Sequence, residues 1–300
     1  MAMGRRSALA LLGASGLSWG QSAAVPGGPG FICPMDKDVK SQAAGKCPRC
    51  GMKLVANLPE PMAYRLEVET RPDPPTTGHD TTHLVYRVRH PQSGAVVKDF
   101  ELIHERLFHS FLISFDLADF AHEHPELRPD GSFLLPVKFT RAVPYRVVAD
   151  FYPRGGTPQF LTATVFPRHA VLAEPPRLAA RSGTERGGNL SLELLTEPAE
   201  PIAGLETLLF FRPKPADGLE PYLAAWGHLL VASDDLVDLA HEHPLYVDGV
   251  PPPELRAPWP QRIQFNHIFA RARTYRLWVQ VVRAGVVNTV RFDVPVKALG

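Results

Sequence analysis

The sequence predicts an all-β protein of two tandem immunoglobulin-like antiparallel β-sandwiches, preceded by a small cysteine knuckle. Three observations predict this fold class. Short runs of alternating apolar and polar residues, bounded by proline and glycine, follow one another along most of the chain. Proline makes up 31 of the 300 residues, which favours turns and edge strands over long helices. A stretch of seventeen residues occurs twice, which indicates that one structural unit is used twice.

The N-terminal segment has the features of a signal peptide. Arg5 and Arg6 precede an apolar run over residues 7–19, and small residues follow as far as Ala24. We therefore predict a signal peptide at 1–24 and a periplasmic or secreted mature protein, the alternative being a disordered start. No later stretch approaches the roughly 20 continuous apolar residues of a membrane span, so no transmembrane segment is expected in the mature chain.

All three cysteines lie in one short segment. Cys33 is followed by the pair Cys47 and Cys50 in a Cys-x-x-Cys spacing, with Met35 and Met52 beside them. Thiolates and thioethers are soft ligands that suit monovalent copper, silver or zinc. The alternative is a Cys47–Cys50 disulfide with one spare thiol, since export exposes thiols to oxidants.

This segment resembles the short heavy-metal-binding domain found near the N-termini of periplasmic adaptors of copper and silver efflux systems and of some metal-transporting ATPases. The residues that carry the resemblance are Cys33, Pro34, Met35, Gly45, Cys47, Pro48, Cys50, Gly51, Met52 and Leu54. Asp36 and Lys37 stand where the family has His-Pro, so the fourth ligand is weaker or different, with Asp36 and Met35 as candidates. The resemblance covers residues 31–56 and implies a metal knuckle there. It also implies metal efflux or metal delivery proteins as partners.

The rest of the chain has strand patterns in two sets of seven. The first set is predicted at residues 64–70, 82–90, 108–114, 119–124, 132–139, 145–152 and 160–166. The second set is predicted at residues 190–196, 206–212, 225–232, 238–243, 261–269, 275–282 and 288–294. About seven strands per set is typical of an immunoglobulin-like sandwich. We place sandwich 1 at 63–172 and sandwich 2 at 189–298, with a linker rich in Pro, Arg and Gly at 173–188.

The two sandwiches also resemble the exported YtkA-like immunoglobulin-like modules that accompany the heavy-metal-binding domain in bacterial secreted proteins. The residues that carry this second resemblance are Pro221-Tyr222-Leu223, Gly227-His228, Asp235-Leu236, His241-x-His243-Pro244 and the run from Tyr275 to Gln280. That family has few assigned functions, so the resemblance implies a fold more than an activity.

The repeated stretch carries three histidines in each copy. Residues 109–125 and 228–244 match at ten of seventeen positions, and both contain His-x12-His-x-His. The six histidines are His109, His122, His124, His228, His241 and His243.

A strand hairpin would bring the three histidines of each copy to one face. Residues two apart on a strand point the same way, so the last two histidines form a pair. A hairpin centred on Leu117 and Ala118 places His122 opposite Ile113. His109 then shares the face of His122. The parity of a register is whether the numbers of two paired residues add up to an odd or an even number, and here the sum is odd. Every register of odd parity preserves the shared face, whereas a register of even parity separates His109 from the pair.

Three neutral imidazoles with room for a fourth ligand suit divalent copper or zinc. The alternative is that the histidines bind backbone carbonyls and fix a loop. Whether the two sets bind separately, jointly or not at all stays open. Asp119 and Asp238 are interpreted as turn caps. His104 and His267 lie outside the repeat and are interpreted as surface histidines, the alternative being that His267 gives the second unit an additional ligand.

Charge and motif content exclude several function classes. Lys plus Arg, at 32, nearly cancels Asp plus Glu, at 31, so nucleic acid is not an expected partner. We find no nucleophile elbow or phosphate loop, and the segment His104–His109 has one residue too many for His-Glu-x-x-His. The prediction is a non-enzymatic, exported protein that binds copper, silver or zinc in metal capture, delivery or tolerance. The alternative is a protein–protein interaction module of a metal efflux system with structural histidines.

Overall fold

A computed structural model describes residues 30–33, 38–57, 62–172, 176–248 and 261–300. The predicted signal peptide, Met35, Asp36 and Lys37 lie outside the described residues. Within those residues the chain forms twenty-two β-strands and no helix, which confirms the predicted all-β class. It follows that the described segments include no apolar helix long enough to cross a membrane.

The chain divides into two compact units, Met1–Glu60 and Pro61–Gly300. The described residues of the first unit form three short antiparallel strands, β1 (Phe31–Ile32), β2 (Lys40–Ser41) and β3 (Val55–Ala56), in the order β2-β1-β3. Cys33, Cys47 and Leu54 are buried together in this unit.

The second unit begins with a sandwich of two antiparallel sheets. Its strands are β4 (Arg65–Arg71), β5 (Thr82–Arg89), β6 (Phe100–Glu101), β7 (Phe108–Ser114), β8 (Phe120–Glu123), β9 (Glu126–Leu127), β10 (Phe133–Val137), β11 (Tyr145–Pro153) and β12 (Gln159–Val165). The sheet orders are β4-β5-β10-β9 and β12-β11-β7-β8, and β6 also pairs with β11. These orders correspond to the A-B-E-D and G-F-C-C′ sheets of an immunoglobulin fold. Side chains of both sheets, including Tyr86, Phe108 and Phe151, share one buried core.

The second sandwich repeats this plan. Its strands are β13 (Gly183–Arg186), β14 (Ser191–Glu197), β15 (Glu206–Lys214), β16 (Leu219–Glu220), β17 (His228–Ser233), β18 (Leu239–Glu242), β19 (Tyr246–Asp248), β20 (Arg262–Ile268), β21 (Thr274–Arg283) and β22 (Val286–Pro295). One sheet has the order β13-β14-β15-β20-β19. In the other, β21 pairs with β17 and β22, β17 pairs with β18, and β16 pairs with β21.

All fourteen predicted strands are present. The predicted linker at 173–188 needs correction at its C-terminal part, because β13 pairs with β14 along its whole length and so belongs to the second sandwich. Its residues alternate between half-buried and exposed, which is typical of an edge strand.

The two sandwiches pack face to face through β7 and β11 on one side and β17 and β21 on the other. Phe111, Ile113 and Val148 of the first sandwich form a shared buried cluster with Leu230 and Trp278 of the second. Every residue of β7 and of β17 is buried, because one face of each strand lies in its own core and the other in this interface.

Candidate metal centres

His109, His122 and His124 meet on one face of the β7–β8 hairpin. The prediction that His122 lies opposite Ile113 is wrong, because His122 pairs with Phe111. The observed register keeps the predicted parity, so the three imidazoles share a face. Nδ1 of His109 lies 3.1 Å from Nε2 of His122 and 3.2 Å from Nε2 of His124.

The turn between β7 and β8 explains the shifted register. The Ser114 amide donates to the Asp119 carbonyl, so the turn centres one residue earlier than predicted. Leu117 takes a φ of 57°, which a leucine adopts only rarely. The Ser114 hydroxyl donates to Asp116 at 2.6 Å, and the Tyr145 hydroxyl donates to Asp119 at 2.6 Å. Asp119 therefore holds the turn and is not one of the clustered donors.

The second copy forms an equivalent triad on the β17–β18 hairpin. Leu230 pairs with His241, which gives the same parity. Nδ1 of His228 lies 3.3 Å from Nε2 of His241. The ring of His243 lies 4.4 Å from that of His241, centroid to centroid, and one donor nitrogen of each histidine lies within 4.8 Å of the others.

A backbone carbonyl fixes the tautomer of the first histidine in each triad. Nε2 of His109 lies 2.9 Å from the Ile103 carbonyl, and Nε2 of His228 lies 2.9 Å from the Tyr222 carbonyl. A carbonyl oxygen can only accept, so the proton of each neutral ring lies on Nε2. Nδ1 of each ring therefore presents its lone pair to the triad.

The middle histidine of each triad is fixed by the opposite sandwich. Nδ1 of His122 donates to Oε1 of Gln280 at 2.7 Å, and Nδ1 of His241 donates to Oδ2 of Asp150 at 2.8 Å. The Gln280 amide nitrogen donates to Thr289 at 3.0 Å, which leaves its oxygen for His122. Both middle histidines thus present the lone pair of Nε2 to their triad, in the arrangement that orients histidine ligands in metal sites.

The facing nitrogens of the first and middle histidines in each triad lack a proton with which to bond to one another. Burial lowers the pKa of every member of the six, to about 3 for His124, about 4 for His228 and about 2 for His243. The rings are therefore neutral at pH 7. Nε2 of His243 is buried without a hydrogen-bond partner among the described residues. The facing lone pairs of the first and middle histidines, 3.1 Å apart in the first triad and 3.3 Å apart in the second, repel unless a cation lies between them.

The triads fit a metal ion in donor chemistry and in spacing. Zinc–nitrogen bonds of about 2.0–2.1 Å in a tetrahedral site imply nitrogens about 3.3 Å apart. The observed 3.1 and 3.2 Å in the first triad and 3.3 Å in the second are close to that value. Each triad leaves a fourth position to another ligand.

The cysteines form a third donor cluster in the first unit. The Cys47 amide donates to the Met52 carbonyl at 2.7 Å, and the Gly51 amide donates to the Cys47 carbonyl at 2.8 Å. This tight turn needs Gly51 at a φ of 75°. The sulfurs of Cys33 and Cys50 are 3.4 Å apart, well beyond the roughly 2.05 Å of a disulfide. All three sulfurs lie within 4.8 Å of one another.

Met52 packs against this cluster as a half-buried side chain, which agrees with its predicted place beside the knuckle. The structure describes the three thiolate candidates and Met52. Met35 lies outside the described residues, so its predicted role stays a prediction.

Three participants near the histidine triads were not predicted from the sequence. His104, predicted as a surface residue, stacks on His243 with ring centroids 3.5 Å apart. Asp150 and Gln280 were not singled out, although a charged or amide residue inside an apolar strand signals a buried partner. His267 instead pairs with Glu242 at 3.1 Å, away from the triad donors.

Asp150 distinguishes the two triads chemically. Burial raises the pKa of the Asp150 carboxyl, and its neighbour His109 opposes that shift. We expect Asp150→Asn to weaken zinc binding at the second triad by about 10–100-fold, the usual cost of losing a carboxylate that orients a histidine ligand. Competition against a zinc chelator measures this change. The matched variant Gln280→Glu is expected to strengthen the first triad, and unchanged affinity in both variants contradicts this role.

The family comparisons agree with the donor clusters. Residues 31–57 match the family model described as the heavy metal binding domain, which confirms the predicted resemblance there. Residues 197–298 match a domain of unknown function, DUF8832. The YtkA-like resemblance stays a prediction. The heavy-metal match together with the cysteine and histidine clusters indicates metal binding.

No curated protein matches the chain. Among solved structures, the chain is similar to the Escherichia coli adhesin FdeC, with 12% identity, a TM-score of 0.25 and coverage of 83% of this chain and 68% of that one. Escherichia coli alpha-2-macroglobulin gives 15% identity, a TM-score of 0.25 and coverage of 86% and 18%. Carbohydrate-binding modules of the β-sandwich superfamily give 12% identity, a TM-score of 0.22 and coverage of 77% and 99%. Scores at this level carry no conclusion about function.

Proposed function

We propose that this protein is an exported, non-catalytic metal-binding protein that captures or delivers copper, silver or zinc. The observation that carries the proposal is the geometry of the histidine triads. In both of them, hydrogen bonds to oxygen acceptors place the ring proton on the outer nitrogen of the first and middle histidines, so that their lone pairs converge. Buried polar atoms without partners are costly, and a bound cation satisfies them.

The two kinds of cluster suit different ions. The cysteine cluster offers soft sulfur donors for monovalent copper, silver or zinc, whereas the triads offer borderline imidazoles for divalent copper or zinc. A protein with both kinds handles copper in either oxidation state, or zinc at every cluster. Such a protein acts in metal tolerance or delivery in the periplasm, with metal efflux or delivery proteins as partners.

Metal titration of purified variants tests this proposal. The variant His122→Ala/His124→Ala is expected to bind one ion fewer per chain, because only one donor of the first triad is left. The variant Cys47→Ser/Cys50→Ser is expected to lose the ion of the cysteine cluster. Calorimetry with zinc, and with copper under reducing conditions, measures both stoichiometries.

The matched control is His79→Ala/His83→Ala, which removes two exposed histidines far from the triads in sequence. This control is expected to keep full stoichiometry. Unchanged stoichiometry in His122→Ala/His124→Ala would rule out metal binding by the first triad. That result would favour an interaction module with structural histidines.

A further inference from the structure

The two triads face each other across the interface between the sandwiches. The ring centroids of His109 and His241, which belong to different sandwiches, are 5.4 Å apart. Those of His122 and His228, also from different sandwiches, are 5.7 Å apart. Within the triads, the spacing is 5.3 Å between His109 and His122 and 5.5 Å between His228 and His241. Rings of different triads are therefore about as close to each other as rings of the same triad, and the six histidines form one group.

Each sandwich also supplies the acceptor that orients the other triad. Asp150, which bonds His241, pairs directly with His109 on the neighbouring strand. Gln280, which bonds His122, pairs in the same way with His228. A shift of either sandwich would move the donors of one triad and the orienting group of the other together.

Aromatic contacts close the space between the triads. The Phe111 ring stacks on His122 at 4.2 Å and meets His241 edge-on at 4.8 Å. His104, from the first sandwich, covers His243 of the second and meets His228 edge-on at 5.7 Å. The interface thus encloses both triads in one largely buried environment.

One ion cannot satisfy this arrangement. Each triad has its own set of converging nitrogens, and a single ion in one triad would leave the lone pairs of the other triad buried and unmatched. The Asp150 carboxylate is the buried acid that touches the group, and it supplies negative charge beside the two cation positions.

We propose that the six histidines form one two-metal centre between the sandwiches, which takes a pair of divalent copper or zinc ions near enough to interact. This inference rests on the proposed metal-binding function and adds that the two sites are coupled. The first triad holds one ion, the second triad holds the other, and Asp150 and Gln280 link them.

Electron paramagnetic resonance with Cu²⁺ as the probe tests this inference. The full chain carries Cys33→Ser, Cys47→Ser and Cys50→Ser so that thiols do not reduce the probe. Spectra are recorded at one and two equivalents of copper. They are compared with spectra of two single-triad variants in this background, His122→Ala/His124→Ala and His241→Ala/His243→Ala.

The expected result is two bound coppers whose spectrum is not the sum of the two single-triad spectra, because magnetic coupling broadens it or removes intensity. If a variant fails to fold, the parent alone decides the matter, since the second equivalent must change the signal of the first. Two coppers with additive, full-intensity spectra would overturn the coupled centre and leave the proposed function standing. A parent that binds a single copper, and loses it when either triad is disrupted, would overturn the two-metal centre. A parent that binds no copper would overturn both the two-metal centre and metal binding by the triads, on which the proposed function rests.

Discussion

Replacing Arg276 with alanine is expected to lower the free energy of unfolding of the second unit by about 3–5 kcal/mol, the usual cost of removing one partner of a buried ion pair. Arg276 holds both carboxylate oxygens of Asp293, at 2.6 and 2.7 Å. Their side chains are 10% and 6% exposed, so the variant leaves the Asp293 carboxylate buried without its counter-ion. Arg276 also donates to the Leu117 carbonyl of the other sandwich at 2.6 Å.

Urea denaturation of the full chain measures this change. The matched control is Arg154→Ala, which removes a cation that pairs with Asp99 and Glu101 but is 55% exposed. That variant is expected to lose less than about 1 kcal/mol, as exposed ion pairs do. If Arg276→Ala and Arg154→Ala lose the same free energy of unfolding, the buried ion pair of Arg276 and Asp293 does not stabilise the second unit more than an exposed pair does.

Metal loading is expected to raise the free energy of unfolding of the second unit by about as much as Arg276→Ala lowers it. An ion that binds only the folded state adds about 2.7 kcal/mol at a free concentration of 100 times its dissociation constant. Two filled triads then add about 5 kcal/mol. In a unit of this length each kcal/mol raises the melting temperature by roughly 2–4 °C, so a rise of about 10–20 °C is expected.

Thermal melting with and without excess zinc, in the variant Cys47→Ser/Cys50→Ser, measures this rise. A chelator is expected to reverse it. Adding His122→Ala/His124→Ala to that background should remove about half of the rise, since one triad is left. An undiminished rise would show that zinc stabilises the unit through other groups.

The fold could be predicted well because antiparallel sandwiches leave a local pattern. A strand with one face in the core and one in solvent alternates, as Glu206–Lys214 does between buried and more exposed residues. Strands of two residues, such as Phe100–Glu101 and Leu219–Glu220, carry no readable period and were missed. The edge strand Gly183–Arg186 was hidden by its loop-like composition.

The triads could be predicted because the shared face of the histidines depends on the parity of the register and not on the register itself. His109, His122 and His124 share a face in every register of one parity, so an error of one residue at the turn did no harm. The register itself was missed because Leu117 adopts a positive φ that leucine seldom takes.

The joining of the triads could not be predicted from local pattern. The run Phe111-Leu112-Ile113 lacks alternation, which is typical of a strand buried on both faces, but this pattern does not indicate what covers the second face. The links from Asp150 to His241 and from Gln280 to His122 span 91 and 158 residues. Such contacts depend on how the two folded sandwiches pack against each other, and not on local sequence pattern.

The most direct test of metal binding by the triads is a crystal structure of the zinc-loaded chain with anomalous scattering at the zinc edge. We expect two peaks in the second unit. One lies about 2.0–2.1 Å from Nδ1 of His109 and Nε2 of His122 and His124, the usual zinc–nitrogen distance. The other lies at that distance from Nδ1 of His228 and Nε2 of His241 and His243. Zinc peaks elsewhere, with the six histidines bonded only to protein groups, would contradict the account.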